Sequence, residues 1–302
     1  EESILDRPPL EVARALQQAK RLSLGFLYWL QTAAEGRGYP ELRLATDALG
    51  SPDGISKYPY IRESRRIVAR TRIVQQDLTI DFQKGARARA WPDSIGLGMY
   101  MVDIHPCGRG ERGKMVMARP FQIPLGALVP ADSQNLLPAG KNLGTTHITN
   151  GAHRLHPVEW NIGESAATLA AFTLRRGAPL QQVAADATLT RQYQALLVEQ
   201  GVALVWFDDL PLTHPDFRAI QLLAVEGVYP LAEQDLHASP DALVTRAEAA
   251  VLLAKLHRKP PGAESKVPID VPAGHPARGS VWVALQQGCM AVDHRNWFHP
   301  EL

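Results

Sequence analysis

The sequence predicts a mixed α/β fold over residues 1–204, followed by an all-α repeat region over residues 205–302. Two observations support this prediction. In the first region a helix-periodic stretch precedes short β-branched runs and a strand–loop–helix pattern, which is typical of α/β and α+β domains. In the second region a pattern of aspartate, proline, histidine and glycine occurs twice at one spacing, which indicates repeated helical units.

The composition describes a globular protein and excludes some functions. The chain has 302 residues, 45% of them hydrophobic and 21% charged, and can bury a core. The formal net charge of +1 and the lack of basic runs argue against nucleic-acid binding. Cys107 and Cys289 lie far apart without a CxxC motif, so we predict neither a metal site nor a disulfide framework.

The N-terminal elements follow from local patterns. Residues 8–34 carry apolar side chains at near-helical spacing after a Pro-Pro pair, which predicts a long helix. A turn-rich segment follows, in which Asp53-Gly54 is a turn signal. Three β-branched or apolar runs then predict strands at Ile67–Val68, Ile73–Val74 and Leu78–Phe82.

The central stretch, residues 135–174, organises the rest of the chain. Its start, Asn135–Ala139, predicts a short buried strand that stops at Gly140, and its end, AATLAAFTL, predicts a packed helix. A polar loop with three histidines lies between them. A glycine-containing helix start directs free N–H groups and partial positive charge at an electron-rich ligand atom. We therefore predict that Ile162–Glu164 form a helix N-terminus open to a concave surface.

Two further motifs precede this stretch, PYIRESRRI at Pro59–Ile67 and DSIGLGMYMVDIH at Asp93–His105. The second motif alternates loosely, as a strand does. Asp103 and His105 are two residues apart, so their side chains would point to one face of that strand. Such a carboxylate and imidazole can handle a proton together. The alternative is a polar pair at a strand end.

A glycine pattern at Gly108, Gly110 and Gly113 imitates the dinucleotide fingerprint G-x-G-x-x-G. The fingerprint works only when a strand enters it and a helix starts on it. Here the run KMVMARPFQIPL follows, which is strand-like and is interrupted by two prolines. We therefore predict a hairpin turn at this position.

The motifs PYIRESRRI, DSIGLGMYMVDIH and NLLPAGKNLG…NIGESAA, in this order, resemble the C-terminal, flavin-contacting portion of FAD-dependent oxidoreductases. The resemblance covers roughly residues 1–200 and implies FAD as cofactor and a small-molecule substrate. No other G-x-G-x-x-G occurs, so the partial fold lacks the Rossmann-like part that binds ADP. We expect that this first part is missing from the chain, which alone would bind FAD weakly or not at all and be inactive.

The resemblance also implies a site. In the charged motif, Arg62 and Glu63 would face the flavin and substrate cleft, where an arginine holds a carboxylate or supports reduced flavin. A solvated strand edge is the alternative. Of the loop histidines, His147 is favoured, together with Arg154. The predicted catalytic residues are Arg62, Glu63, Asp103, His105, His147 and Arg154, and the predicted cofactor-binding residues are Gly140, Asn161, Ile162, Gly163 and Glu164.

The region after residue 204 contains an internal repeat. The heptapeptide DLPLTHP at Asp209 recurs as DVPAGHP at Asp270, and Gly227 recurs as Gly288, all at a spacing of 61 residues. Between heptapeptide and glycine, each copy has the apolar spacing of a helix. The first copy is predicted over about 205–260 and the second, incomplete copy over about 267–302.

In the first copy the motif TRAE precedes the helix-like run AAVLLAKLH. Thr245 and Glu248 form a capping box, which leaves Arg246 for a ligand. The repeats resemble S-layer homology domains, which implies that Arg246 contacts anionic cell-wall polysaccharide. It also implies an exported protein at the bacterial cell envelope or surface. We see no signal peptide and no stretch long enough to span a bilayer, and we expect further repeats beyond the C-terminus.

These features predict an oxidoreductase that transfers a hydride from an organic substrate to flavin and is anchored to the cell envelope by its repeats. One alternative is a non-catalytic wall-binding protein that retains a degenerate flavoprotein scaffold. Another is a lyase or hydrolase that uses His and Asp, for which the sequence contains no nucleophile elbow and no metal-binding triad.

Overall fold

A computed structural model describes residues 4–63, 65–106, 112–258 and 267–302. The chain divides into two compact units. Unit 1 comprises Glu1–Ser64 with Asp103–Met115, and unit 2 comprises Arg65–Val102 with Val116–Leu302. The residues on both sides of position 204 therefore lie in the same unit. In the described ranges, no helix is long and apolar enough to cross a membrane.

Unit 1 is built on helix α1, Pro9–Thr32, which confirms the predicted long helix. A 3-10 helix, Ala34–Gly36, and a short helix α2, Thr46–Leu49, follow it. The turn at Asp53-Gly54 is also confirmed, because Gly54 is left-handed and its N–H donates to the Ser51 carbonyl. No residue of α1 is buried, and Ala34 is the only buried hydrophobic side chain in the described part of unit 1.

The predicted strand over Asp93–His105 is two strands. Strand β1, Ser94–Gly98, pairs antiparallel with β4, Phe121–Pro124, and Gly98 lies opposite Phe121. Strand β2, Val102–Ile104, pairs with β3, Lys114–Val116. The pairing of β2 with β3 agrees with a hairpin between them, but the predicted turn itself lies largely outside the described residues.

The three strands predicted between residues 67 and 82 are wrong. This segment makes isolated bridges with three different partners, through Ala69, Ile73 and Thr79, and it includes a 3-10 helix, Gln75–Asp77. The Asp77 carboxylate accepts the N–H of Val74 and closes that turn. The apolar side chains of these runs fill the core, but their backbone groups do not form hydrogen bonds along one neighbouring strand.

The helices of the central stretch also differ from the prediction. Helix α3, His147–His153, replaces most of the predicted polar loop, because Thr146 caps it through the N–H of Thr149. Helix α4, His156–Arg176, contains the predicted AATLAAFTL helix but starts earlier, with Pro157 in its first turn. The predicted helix start at Ile162–Glu164 is therefore wrong. Helix α4 ends at Gly177, which is left-handed.

The predicted buried strand at Asn135–Ala139 is wrong as well. Asn135 is left-handed, Leu136 is half exposed, and the segment is irregular. Beyond α4, helix α5, Leu180–Ala185, leads into α6, Ala187–Glu199. Helix α6 ends just before Gly201, which is left-handed.

The repeat region contains helices α7, Phe217–Val225, α8, Arg246–Leu256, and α9, Arg278–Gln286. Helices α7 and α9 occupy matching places in the two copies. Helix α8 packs on α9, and their shared core contains Ala247, Ala250, Val271, Ala277, Val281, Ala284 and Phe298. The end of the predicted first copy lies outside the described residues.

The two copies share their backbone contacts, which confirms the internal repeat. The Asp209 carboxylate accepts the N–H groups of Ala238 (2.7 Å) and Ser239 (2.8 Å). In the second copy, the Asp270 carboxylate accepts two consecutive N–H groups in the same way, at 2.8 and 2.5 Å. His214 and His275 each accept the N–H two residues later at 3.1 Å through Nδ1. Both terminating glycines are left-handed.

Candidate functional site

Strand β1 and helix α4 are joined by buried polar side chains. The N–H of Leu97 donates to Asn161 Oδ1 (3.1 Å), and Ser165 Oγ donates to the Ile95 carbonyl (2.7 Å). The Tyr193 hydroxyl, on α6, donates to the Ser165 carbonyl (2.7 Å). Residues of the second and third sequence motifs therefore pack directly on each other.

The glycines of the motif DSIGLG allow this close approach. A Cβ atom added to Gly96 would lie 1.6 Å from Asn161 Oδ1. One added to Gly98 would lie 2.4 Å from the Phe121 ring and 3.2 Å from Val158. The distances to Asn161 and to the Phe121 ring are too short for a Cβ atom, so the motif needs glycine at these two positions for packing.

Helix α3 is joined to neighbouring segments through the polar side chains of Thr149 and Asn150. Thr149 Oγ1 donates to the Ile73 carbonyl (2.8 Å). Asn150 Nδ2 donates to the Lys141 carbonyl (2.6 Å) and contacts Thr145 Oγ1 (3.1 Å). Thr149 and Asn150 are fully buried. The sequence analysis identified neither residue, although a Thr-x-x-Thr cap before a small-residue run is a helix signal.

His153, at the end of α3, is fully buried. Its Nδ1 lies 2.8 Å from the Thr149 carbonyl, which can only accept, so Nδ1 carries the proton and Nε2 is an acceptor. The ring packs on Phe121 at 4.6 Å between centroids. Burial lowers the pKa of His153 to about 4, partly opposed by the hydrogen bond to Thr149. The imidazole is therefore neutral at pH 7.

Two buried acceptors on α3 have no donor in the described ranges, Asn150 Oδ1 and His153 Nε2. An unsatisfied buried polar atom costs about 1–3 kcal/mol. The two side chains lie three residues apart, so they share one face of the helix. This corner of the fold, which we call the α3 acceptor pair, is suited to a ligand that supplies N–H or O–H groups.

The predicted site residues of unit 1 form one close pair. His105 Nε2 lies 3.1 Å from Asp103 Oδ2, so the prediction that these side chains share a face is confirmed. Arg62 and Glu63 are half-buried in an irregular segment. The catalytic roles of these four residues stay predictions.

The predicted site residues of unit 2 lie in or next to α3 and α4. His147 is the exposed first residue of α3, and Arg154 is the buried residue that ends it. Asn161, Ile162, Gly163 and Glu164 lie inside α4, where their N–H groups belong to the helix.

The two glycines predicted to bind the cofactor lie at close contacts within the protein. A Cβ atom on Gly140 would lie 2.7 Å from Glu159 Oε2, which also accepts the N–H of Lys141 at 3.2 Å. One on Gly163 would lie 3.2 Å from the Ala139 carbonyl. The N-terminus of α4 is instead at His156, where no side chain caps the first turn.

Arg246 begins α8, after the confirmed capping box of Thr245 and Glu248. Its Nε donates to the Phe298 carbonyl (2.7 Å), its Nη2 donates to the Ala291 carbonyl (2.6 Å), and its guanidinium lies 4.7 Å from the Phe298 ring centroid. The backbone N–H of Arg246 donates to the Leu302 carbonyl (2.7 Å). The second copy therefore covers the start of α8.

A cavity of about 300 Å³ lies between Phe121 and the first repeat copy. Arg87 lies at its wall and donates to the carbonyls of Trp206 (3.0 Å), Ala232 (3.0 Å) and Asp235 (2.8 Å). Burial lowers the pKa of Arg87, while nearby aspartates oppose this shift. None of the predicted site residues lines the cavity.

The comparison with known families agrees with these interlocked motifs. Residues 3–197 match the family described as FAD dependent oxidoreductase. The chain belongs to this family. No curated protein and no solved structure matches it. FAD, the cofactor expected from the sequence, is the cofactor of the family, and membership gives this flavoprotein an oxidoreductase role.

The described residues fit one part of FAD. The α3 acceptor pair suits the ring N–H or the ribityl hydroxyls, which are donors. The uncapped N-terminus of α4 favours negative charge, which reduced flavin carries. For the ADP part, none of the described strands leads through a glycine-rich turn into an α-helix.

Proposed function

We propose that this flavoprotein transfers a hydride from a small organic substrate to N5 of FAD. Bound FAD would supply the two-electron acceptor. The α3 acceptor pair supports this proposal, because two buried acceptors that have no donor among the described residues lie on α3, between the two parts of the third family motif. In this proposal Asn150 and His153 hold flavin donors, and His147, Arg154 and the N-terminus of α4 lie near the ring.

We propose a proton-handling role for the Asp103–His105 pair. Oxidation of a substrate C–H bond to flavin releases a hydride, and a neighbouring O–H or N–H then loses a proton to a base. His105 would accept that proton, while the Asp103 carboxylate at 3.1 Å would orient the ring and stabilise its charged form. Arg62 would hold a substrate carboxylate, and Glu63 would orient that arginine.

Titration of the full 302-residue chain with FMN, FAD and ADP tests the cofactor proposal. We expect FMN and FAD to bind weakly and with similar affinity, and ADP not to bind, because the described residues fit only the flavin part. Asn150→Leu removes one acceptor and should weaken FMN binding by about tenfold, which corresponds to about 1.4 kcal/mol. Asn142→Leu, at an exposed position, is the matched control.

The outcomes separate the proposals. No FMN binding at millimolar concentration, or equal binding by the Asn150 and Asn142 variants, would contradict the role of the α3 acceptor pair. Submicromolar FAD affinity would show that the chain holds the whole cofactor, so the expectation of a missing ADP-binding part would be wrong. Flavin absorbance in the purified protein would argue against the non-catalytic alternative.

We also propose that the repeat region anchors the enzyme to anionic polysaccharide of a bacterial cell wall, which requires export. The repeated backbone scaffold of the two copies supports this proposal, together with their resemblance to S-layer homology domains. Retention of the full chain on purified cell wall, and its release by soluble anionic polysaccharide, would test it. If the chain stays in solution, the anchoring proposal is wrong, whereas the oxidoreductase proposal is unaffected.

A further inference from the structure

The segment Asp293–His299 of the second copy, which we call the 293–299 loop, is held in one shape by its own hydrogen bonds. Asp293 Oδ1 accepts the N–H groups of Arg295 (2.8 Å) and Trp297 (2.9 Å), and its Oδ2 lies 3.0 Å from His299 Nε2. Asn296, at the tip, is left-handed with φ 61°. Because this loop is already ordered, it loses little conformational entropy when a ligand binds.

The base of the loop is attached to the repeat scaffold on two sides. Phe298 is fully buried, its N–H is held by Asp270, and its carbonyl accepts from Arg246. Its neighbour Trp297 is 45% exposed and packs beside the His299 ring at 5.9 Å. Burial of Phe298 thus fixes the backbone, while Trp297 faces solvent.

Trp297 stands next to two other exposed side chains, His294 and Arg295. Arg295 Nε donates to His294 Nε2 (3.3 Å), which orients the guanidinium. No carboxylate pairs with Arg295 in the described part of the chain. The loop therefore combines an aromatic face with an unpaired positive charge.

The first copy shows that the scaffold does not require these side chains. Asp209 holds the N–H groups of Ala238 and Ser239, and Asp270 holds those of Phe298 and His299, so the loops correspond at an offset of 60 residues. At this offset the first copy has Asp235 in the place of Arg295 and His237 in the place of Trp297. There the loop contacts Arg87 through backbone carbonyls. Since Asp209 and Asp270 hold both loops alike, the tryptophan and arginine of the second copy are free to serve a ligand.

Resting on the proposed wall-binding function, we infer that the 293–299 loop binds a carboxylate-bearing sugar chain. The Trp297 ring would pack on the apolar face of a sugar, and Arg295 would donate to the sugar carboxylate. Arg246 contacts the base of the loop and not its exposed side, so it is a positioning residue in this inference. This differs from the sequence-based expectation that Arg246 itself contacts the polysaccharide.

The test uses the full chain and a defined acidic sugar, hexagalacturonate, with its methyl ester as the uncharged match. Isothermal titration at pH 7 should show binding of the acid and weaker binding of the ester. Trp297→Ala should weaken binding of both, by about tenfold for the acid. Arg295→Gln should weaken binding of the acid by a similar factor and remove the preference for the acid over the ester. Loss of structure alone would weaken binding of both and would not remove that preference.

Two variants in the first copy serve as controls. His237→Ala occupies the position that matches Trp297, and Arg218→Gln removes an exposed arginine from α7. Both should bind hexagalacturonate like the unchanged chain. If wall retention persists while the Trp297 and Arg295 variants bind normally, the loop is the wrong site and anchoring stands. If the unchanged chain binds neither wall nor hexagalacturonate, both the loop inference and the anchoring proposal fail.

Discussion

The family-matching part of unit 2 and the repeat region fix their backbones in different ways. In the family-matching part, fully buried polar side chains connect segments far apart in the sequence, as Thr149 does with Ile73. In the repeats, half-buried aspartates such as Asp209 and Asp270 hold one loop each, in the same way. The buried network is complete only when all its hydrogen-bond partners are present. The repeat loops, in contrast, can differ in their exposed side chains and keep the same hydrogen bonds to the aspartates.

The difference indicates where each region holds function. Buried polar networks are costly when incomplete, and the two acceptors on α3 that have no donor in the described part of the chain are where we propose that FAD binds. In the repeats the aspartate carboxylates are satisfied, and the two copies differ in the exposed side chains of their loops. In our proposals, function in the repeats depends on these exposed side chains.

The largest expected effect comes from filling the contact between β1 and α4. Gly98→Ala would place a methyl group against Phe121 and Val158, both buried, and should lower the free energy of unfolding by about 3 kcal/mol. Gly274→Ala in the repeat region, where nothing lies within 4 Å, should change it by less than about 0.5 kcal/mol. Urea unfolding measures both. Equal effects would contradict the claim that the two regions differ in packing tolerance.

The next effect is a pH dependence due to His153. Its pKa is lowered from 6.5 to about 4 in the folded chain, so the unfolded state binds the proton first as pH falls. This contribution to stability is complete above pH 6.5, decreases as pH falls towards 4, and amounts to a loss of about 2 kcal/mol at pH 5. His153→Asn should remove this pH dependence.

Urea midpoints at pH 7.5 and pH 5 measure the effect of His153. The matched variant in the repeat region is His214→Asn, at a histidine that is not fully buried. It controls for the loss of an imidazole in the other region. If His153→Asn unfolds with the same pH dependence as the unchanged chain, the imidazole is not held neutral by burial.

A smaller effect tests whether the two copies are equivalent. Asp209→Ala and Asp270→Ala each leave two backbone N–H groups without their acceptor and should each destabilise the chain by about 1–2 kcal/mol. Thermal unfolding should show similar shifts for the two variants. Asp216→Ala, whose side chain does not cap α7, should have little effect. A large difference between the shifts of the Asp209 and Asp270 variants would show that the two copies are not equivalent.

The smallest effect concerns the 293–299 loop at low pH. Hydrogen bonds from the Trp297 N–H and the His299 ring lower the pKa of Asp293 to about 2. Because the folded pKa lies below the unfolded value, this contribution to loop order is present above pH 4 and is lost as pH falls towards 2. Amide NMR shifts of Arg295 and Trp297 should therefore stay unchanged at pH 3.5. A midpoint near pH 4 in the pH dependence of these amide shifts would contradict the hydrogen bonding of Asp293.

Local signals in the sequence were sufficient for several parts of this protein. The long helix α1, the turn at Asp53-Gly54, the capping box of α8 and the spacing of the two copies were all predicted correctly. Each depends on residues a few positions apart or on direct repetition of sequence. The three ordered motifs likewise identified the family.

Tertiary structure decided the features that depend on distant partners. The apolar runs between residues 67 and 82 became core segments with single bridges, because their backbone partners lie in three separate places. The start of α4 at His156 is a different case, because its signal, Pro157 in the first turn, is local and the sequence analysis assigned this segment to a loop. The protonation state of His153 depends on its burial next to Phe121, which lies in strand β4.

The same reasoning applies to Arg246. The sequence by itself determined that Arg246 follows a helix N-cap, because the capping box is formed by residues three apart. It did not determine where the guanidinium points. Only the folded chain brings the carbonyls of Phe298 and Ala291 to it, from the other repeat copy. A side chain as long as arginine reaches whichever acceptors packing provides, and packing is a property of the whole fold.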